Sequence, residues 1–515
     1  MWRALALVIV FFAIAWLEFE FVPGHSYLQA GSQLYVPILQ HLQSPGYLSR
    51  DLVASHANVT YTGFDEITLF LQRELRIDFH RALLTQQILC RLAALLGLFL
   101  LARSAGLRSS FALAAAAIVN SGVFLPGLNQ QLIDPEPVPR GIAVGLIFLA
   151  AGCLGREKPL LAGLSGGIAF IYDPVLAVPF WMPVLLAFCF DKRERRVLRP
   201  MMPILLVFVL LLANLAQLQP GAPDVEPMFA IIPSKLASIQ TFRLPQSWVS
   251  HWPRGAVTLY FAQFVIGMAA VTRIWSVLNR HSRWIFTAGP LLCLLTIPFC
   301  ALFIDHLGWS AVLRIDPLRC LFYLVALSWL AVVIAGWYAV TRRHGAEAAL
   351  WLGYCALFFF ASQVLSPRLP KPDPAVSQLA AWARETTWGD ALFLFPDAGC
   401  ASYPSEFRAR SERGLWVDWT SGEHINSNSA LAYEWWNRWR DTMERPVAGQ
   451  RMQQLLKLPI DYFVLKRNQA IENESRGAHH LIQPAFVNSE FRVYEAGALR
   501  FAPGRVQIVR DTSTP

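Results

Sequence analysis

Apolar residues run along this chain in long blocks separated by short polar stretches. Water-soluble helices and strands would instead show one-sided or alternating spacing. The blocks lie near 2–17, 82–102, 109–126, 141–155, 160–172, 174–190, 200–217, 256–272, 284–304, 319–340 and 347–365. A bilayer crossing needs about 17–25 residues, so the pattern predicts about 11 transmembrane helices. Leu160 to Tyr172 and Val175 to Phe190 are short for full spans. Basic runs flank both, which predicts two short helices broken at Asp173-Pro174, or a re-entrant hairpin, returning to the side they left.

Between the first two blocks, residues 18–80 form a large semi-polar loop. In it, Leu34–Leu42 and Phe64–Leu75 carry apolar residues at helical spacing and predict helices lying on the membrane surface. The pattern changes after Ser366. A proline-rich linker, Pro367 to Pro374, leads into shorter elements. Helices are expected near 376–385, 431–439 and 450–456, and strands near 391–395, 414–418, 461–465 and 491–494. That mixture predicts a small α/β layer domain. The chain divides into a transmembrane domain, 1–365, and an extracytoplasmic α/β domain, 366–515.

Composition sharpens this picture. Hydrophobic residues make up 55% of the 515 positions and charged residues only 15%, against roughly 25% charged in soluble domains. Disorder, a coiled coil and a single soluble core are excluded. The net charge is +9. Residues 366–515 hold 18 basic and 17 acidic side chains, so the excess lies among the apolar blocks. That distribution reads as membrane topology and not as a nucleic-acid surface. With a cytoplasmic N-terminus, short inside segments hold 15 Lys and Arg and short outside segments hold six. The bias predicts N-in and C-out. No small-x-small site follows Arg3 and the apolar run to Leu17, which predicts a retained signal anchor. The eight cysteines show no C-x-x-C spacing and read as small apolar packing residues.

Candidate chemistry lies in carboxylates at the outer ends of the helices. Glu18 and Glu20 close the first block, and Asp51 lies deeper in the first loop. Asp134-Pro135-Glu136 occupies the second outer loop, just before Arg140. Carboxylates near lipid are costly unless hydrated, paired or bound to a cation. A proline-held Asp-x-Glu offers two oxygen ligands to a divalent cation such as Mg²⁺ or Mn²⁺. Beside Arg140 such a cation would clamp a phosphate leaving group, with Glu18, Glu20 or Asp51 as base. Plainer readings stand next to these. Glu18 and Glu20 mark the lipid boundary, Asp51 caps a helix, and Asp134 and Glu136 form a solvated turn. Asp173 breaks a helix, and Arg408, Arg410 and Arg413 form a solvated face. No nucleotide-binding glycine pattern, G-x-S-x-G or H-E-x-x-H occurs.

The layout resembles the GT-C superfamily of integral-membrane glycosyltransferases. One N-terminal helix leads to a large acidic outer loop, a second outer loop carries Asp134-Pro-Glu136, and an outer C-terminal domain follows many helices. Tyr35-Val-Pro-Ile-Leu39, Tyr47-Leu-Ser-Arg-Asp51, Glu136-Pro-Val-Pro-Arg140, and Phe407-Arg-Ala-Arg-Ser-Glu-Arg413 with Val417-Asp418 look like a group of bacterial GT-C-like membrane proteins. The resemblance implies sugar transfer from a polyprenyl-phosphate donor at the outer face of a bacterial inner membrane. It also implies that an acidic first-loop residue serves as base or metal ligand, with Glu20, Glu18 and Asp51 the matching positions. Two alternatives are a non-enzymatic scaffold of envelope assembly and a transporter. The latter is disfavoured by the large outer mass and the lack of a repeated half.

Overall fold

The computed structural model describes residues 2–59, 62–218, 227, 229–366, 371–444, 449–475, 478–502 and 505–510. Part of the proline-rich linker, 367–370, and part of the third outer segment, 219–226, lie outside these residues. Each apolar block holds a helix, the block 109–126 only as far as Asn120, and fewer than the expected 11 crossings are supported by helix length and composition. Among the described residues, five helices are long and apolar enough to cross a membrane: Phe79–Ser104, Ala256–Ile274, Arg280–His306, Ser310–Thr341 and Gly345–Leu365. A sixth is reached if Lys192–Leu198 and Met201–Gln217, bent by 60°, form one span. The helix of the first block, Trp2–Glu20, has 19 residues, and the remaining four are shorter. Ser109–Asn120, Pro139–Gly155, Pro159–Tyr172 and Pro174–Phe190 hold only 12, 17, 14 and 17 residues. At 1.5 Å per residue the longest of them reaches about 26 Å, against a hydrocarbon core of about 30 Å.

Local chemistry sets those short lengths. Asp173 stops one helix and starts the next: its Oδ1 accepts the N–H groups of Val175 (3.1 Å) and Leu176 (3.2 Å), and Pro174 occupies the first helical position. The two short helices expected around Asp173-Pro174 are present and fold back on each other, with Trp181 Nε1–H donating to the Gly166 carbonyl at 3.0 Å.

Leu321–Thr341 runs through the middle of the bundle and is buried nearly all round, as its apolar circumference requires. The helices Ala256–Ile274, Arg280–Cys300 and Gly345–Leu365 pack around it. Phe79–Ser104 and Pro139–Gly155 approach most closely. A Cβ on Gly145 would stand 2.2 Å from the Cys90 carbonyl oxygen, and one on Gly152 would stand 2.2 Å from that of Gly97. Only hydrogen fits there, so the two backbones touch directly.

The loops gather at opposite ends. At one end Arg280 pairs with Asp191 and Glu194, His281 meets Glu194 at 2.6 Å, and Asn279 donates to the Gly155 carbonyl. Ser104 meets Ser282 there, and Tyr338 donates to the Ala105 carbonyl. These are the segments expected inside. At the other end Gln87 donates to the Pro135 carbonyl, Asn120 to Glu18, and the Gly63 N–H to the Ile171 carbonyl. Both helices expected in the first loop are present, as Ser32–Gln43 and Phe64–Leu75.

The C-terminal part holds a five-stranded mixed sheet. Its order is Gly414–Leu415, Leu392–Leu394, Tyr462–Lys466, Phe491–Glu495 and Phe486–Val487. The first three strands are parallel and the last two are antiparallel additions. Leu392–Leu394 and most of Tyr462–Lys466 are buried, as strands covered on both faces must be. Helices Pro374–Thr386, Tyr403–Ser411 and Ser429–Thr442 belong to this part, and a separate three-stranded antiparallel sheet follows from residues 469–510. The hydrophobic core continues without a break from the bundle into it.

Candidate functional site

Three Asp-Pro steps place carboxylates at the same end of the bundle. Asp134-Pro135 lies in the second outer loop, Asp173-Pro174 at the hairpin tip and Asp316-Pro317 in the fourth outer loop. Asp173 and Asp316 each stand just before a helical segment that opens on proline, and Asp134 lies in the loop before Pro139–Gly155. Asp134 accepts the Arg140 Nε–H at 2.5 Å. Asp316 accepts the Arg319 Nε–H at 2.9 Å, and Arg319 Nη1 lies 3.8 Å from Asp173 Oδ2. Arg140 and Arg319 line one small cavity with Asp134, Gln130, Gln131, Leu176 and Phe322. Each arginine side chain keeps more than a third of its surface open. The terminal nitrogens of Arg140 make no hydrogen bond among the described residues.

The remaining outer segments complete the cluster. Tyr35, from helix Ser32–Gln43, lies within electrostatic reach of Arg319, Arg140, Asp173 and Glu423, and burial pushes its hydroxyl up to about 12. The ring of His424, from the C-terminal part, stands edge-on to Tyr35 at 6.0 Å. Burial holds the imidazole down at about 4, aided by Arg319 and Arg243, so it is neutral near pH 7. Its Nε2 is buried without a hydrogen-bond partner among the described residues. Arg243, from helix Ser234–Arg243, lies over Trp419 and meets Glu423 at 3.6 Å. Burial raises the Asp173 carboxyl above its ordinary value, against Arg319 and the two backbone donors. Asp173 Oδ1 is spent on capping, while Oδ2 has only the long contact to Arg319. The result is a small cavity lined by two guanidinium groups, with one carboxylate oxygen of raised basicity and a neutral imidazole close to Arg319. It suits an anionic ligand together with a proton acceptor.

The residues singled out from sequence are distributed unevenly. Asp134 and Arg140 belong to the cleft. Glu136 is buried and turned away from it. Its Oε1 accepts the N–H groups of Gln29 (2.7 Å) and Ala30 (2.9 Å), and its Oε2 accepts the Ser32 N–H (2.7 Å) and hydroxyl (2.8 Å). Burial raises its carboxyl while these donors oppose the rise. The carboxylate sits at the N-terminus of helix Ser32–Gln43, where anions are favoured. Asp134 and Glu136 thus take their hydrogen bonds from different partners. No group of three or more His, Cys, Asp or Glu arranged for a metal is present among the described residues.

Asp51 is fully buried beneath the C-terminal part. Its Oδ1 caps Val53 and Ala54, its Oδ2 accepts the Leu415 N–H at 2.9 Å, and Arg408 lies 3.6 Å away. Arg408 is also buried, between Asp51 and Asp418, and not on a solvated face. Glu18 accepts from the Asn120 side chain, and Arg91 donates to the carbonyls of Gly24 and Asp134 nearby. Glu18 therefore stands behind Asp134, with Arg91 between. Glu20 is exposed. Asp173, Asp316, Arg319, Tyr35 and His424 were not singled out as site residues by sequence reasoning. The repeated Asp-Pro step in outer segments was the signal available for the first two.

No family model and no curated protein matches this chain. Among solved structures it is similar to a single-particle cryo-EM structure of the arabinofuranosyltransferase AftD from Mycobacteria, with 14% sequence identity and a TM-score of 0.49. The likeness covers 95% of this chain and 41% of that one, so this chain spans about two fifths of its neighbour's length.

Proposed function

We propose that this chain is an integral-membrane glycosyltransferase that takes a sugar from a polyprenyl-phosphate donor at the outer face of a bacterial inner membrane. One observation carries the reading: Arg140 and Arg319 line one cavity at one end of an apolar helix bundle, with Tyr35, Asp173 and His424 from three other segments within electrostatic reach. Arg140 and Arg319, each held through Nε by an aspartate, present their remaining nitrogens to the donor phosphate. An acceptor hydroxyl attacks the anomeric carbon, and its proton passes to Asp173 Oδ2. The carbon–oxygen bond to phosphate breaks, and the two guanidinium groups stabilise the charge left on that oxygen. Tyr35 and His424 bound the sugar side of the cleft. No step here is routed through Glu18, Glu20, Asp51 or a cation.

The test is a screen of labelled polyprenyl-phosphate sugars with the purified, reconstituted chain. Transfer is expected for one donor, with Asp173→Asn slowing it roughly 10²–10⁴-fold, the usual contribution of a general base. Arg319→Gln is expected to weaken both donor binding and turnover. The second reading, a non-enzymatic scaffold, is favoured by the pairing of each arginine with a carboxylate. Absence of transfer from every donor, with lipid phosphate still bound, would select it.

A further inference from the structure

A second polar hollow lies outside the cleft, between the two helices of the first outer loop. It has a volume of about 570 Å³ and is lined by Leu42, Gln43, Leu69, Gln72, Arg73, Arg76, Ile77 and Asp78. We infer that this groove binds the anionic headgroup of a membrane phospholipid, through Arg73 and Arg76.

The lining is amphiphilic: three aliphatic side chains, two amides and two guanidinium groups. Arg73 and Arg76 are exposed and form no ion pair among the described residues. Asp78 is committed elsewhere, capping the next helix through the Arg81 N–H and lying 3.6 Å from the Arg81 side chain. Two unmatched positive charges therefore face the hollow. Depth follows from the covalent path. Phe64–Leu75 exposes Phe70 (61%) and Leu75 (57%), which suits an interfacial helix with its apolar side in lipid. It ends at Arg76 in a left-handed turn, and Phe79–Ser104, one of the spanning helices, begins three residues later. The groove is held where lipid headgroups lie, and anionic headgroups favour each nearby Arg. The same groove touches the far end of helix Ser32–Gln43. Tyr35 and Leu42 are seven residues apart on it, which is about 10 Å along the axis. A headgroup in the groove therefore steadies the helix that carries Tyr35. The assignment does not depend on whether the cleft is catalytic.

The test uses the full chain in nanodiscs of phosphatidylcholine containing a photo-crosslinking phosphatidylglycerol, with labelled peptides mapped by mass spectrometry. Labelling is expected within 64–78, competed by unlabelled phosphatidylglycerol and not by phosphatidylcholine. Arg73→Gln with Arg76→Gln should lower it tenfold or more, on the order expected for two arginines. Arg73→Lys with Arg76→Lys should retain most of it, and labelling near the basic helix Lys192–Leu198 should not change. Equal labelling by a phosphatidylcholine probe, or insensitivity to the glutamine pair, would overturn the assignment. Competition by free glycerol phosphate as strong as by the lipid would also overturn it, assigning the groove to a soluble phosphate.

Discussion

His424 shows how one side chain ties chemistry to stability. Burial and two neighbouring guanidinium groups hold its imidazole at about 4, below the ordinary 6.5. Between those values the unfolded chain binds a proton that the folded chain refuses. Folded stability therefore rises with pH across that window and is lost as pH falls from about 6.5 to 4. His424→Gln, which cannot charge, should flatten that part of the profile when unfolding of the C-terminal part is followed by tryptophan fluorescence. An unchanged slope would place the acid sensitivity in other groups. Glu136 and Asp51 teach a related lesson. An acidic residue in an outer loop reads the same in sequence whether it faces water, a cation or a set of buried N–H groups. The donors on Glu136 come from Gln29 to Ser32, more than a hundred positions away, and those on Asp51 include Leu415. Long-range partners decide the role, and no local pattern reveals them. Asp134 with Arg140 was legible because the pair is close in the chain and shares one turn.

The helices were legible because lipid-facing and core-facing positions are both apolar, which leaves long uninterrupted blocks. Most of their lengths were legible too, the exception being the block 109–126, helical only to Asn120. The close backbone contact at Gly97, Gly145 and Gly152 was not legible, because it tightens the packing of two helices without altering mean hydropathy. The junction between the first loop and the C-terminal part was not legible at all. It rests on Asp51 and Arg408, supported by Gln40 donating to the Ala409 carbonyl and Arg50 pairing with Asp461. Removing Asp51 takes one of two carboxylates from buried Arg408, which keeps Asp418 at 3.3 Å, and leaves the N–H groups of Val53, Ala54 and Leu415 without an acceptor, at about 1–3 kcal/mol for each group left buried. Asp51→Ala should therefore loosen the C-terminal part and raise its protease sensitivity, with the helix bundle intact. Asp51→Asn, which keeps a cap for Val53 and Ala54, should do less. Equal protease resistance in all three chains would deny the junction its role.

The separation of loops into two ends gives the chain a direction across the membrane. Two exposed cysteines mark those ends: Cys189 beside the basic Asp191–Arg199 run, and Cys400 in the C-terminal part. On intact spheroplasts a membrane-impermeant maleimide should label Cys400 and spare Cys189, and permeabilisation should expose both. The opposite pattern would invert the molecule and move the cleft to the cytosol. The other six cysteines are buried and should stay silent.

The cleft draws its last wall, with His424 and Glu423, from a part of the chain that is made after every helix of the bundle. A ribosome delivers the arginines and aspartates first and the covering wall at the end. During biosynthesis the nascent protein therefore holds a half-built cleft, and the finished one forms only once the C-terminal part has been made and has settled on Asp51. On the proposed function, a chain halted before His424 would hold the arginines and aspartates but not the whole sugar side of the site.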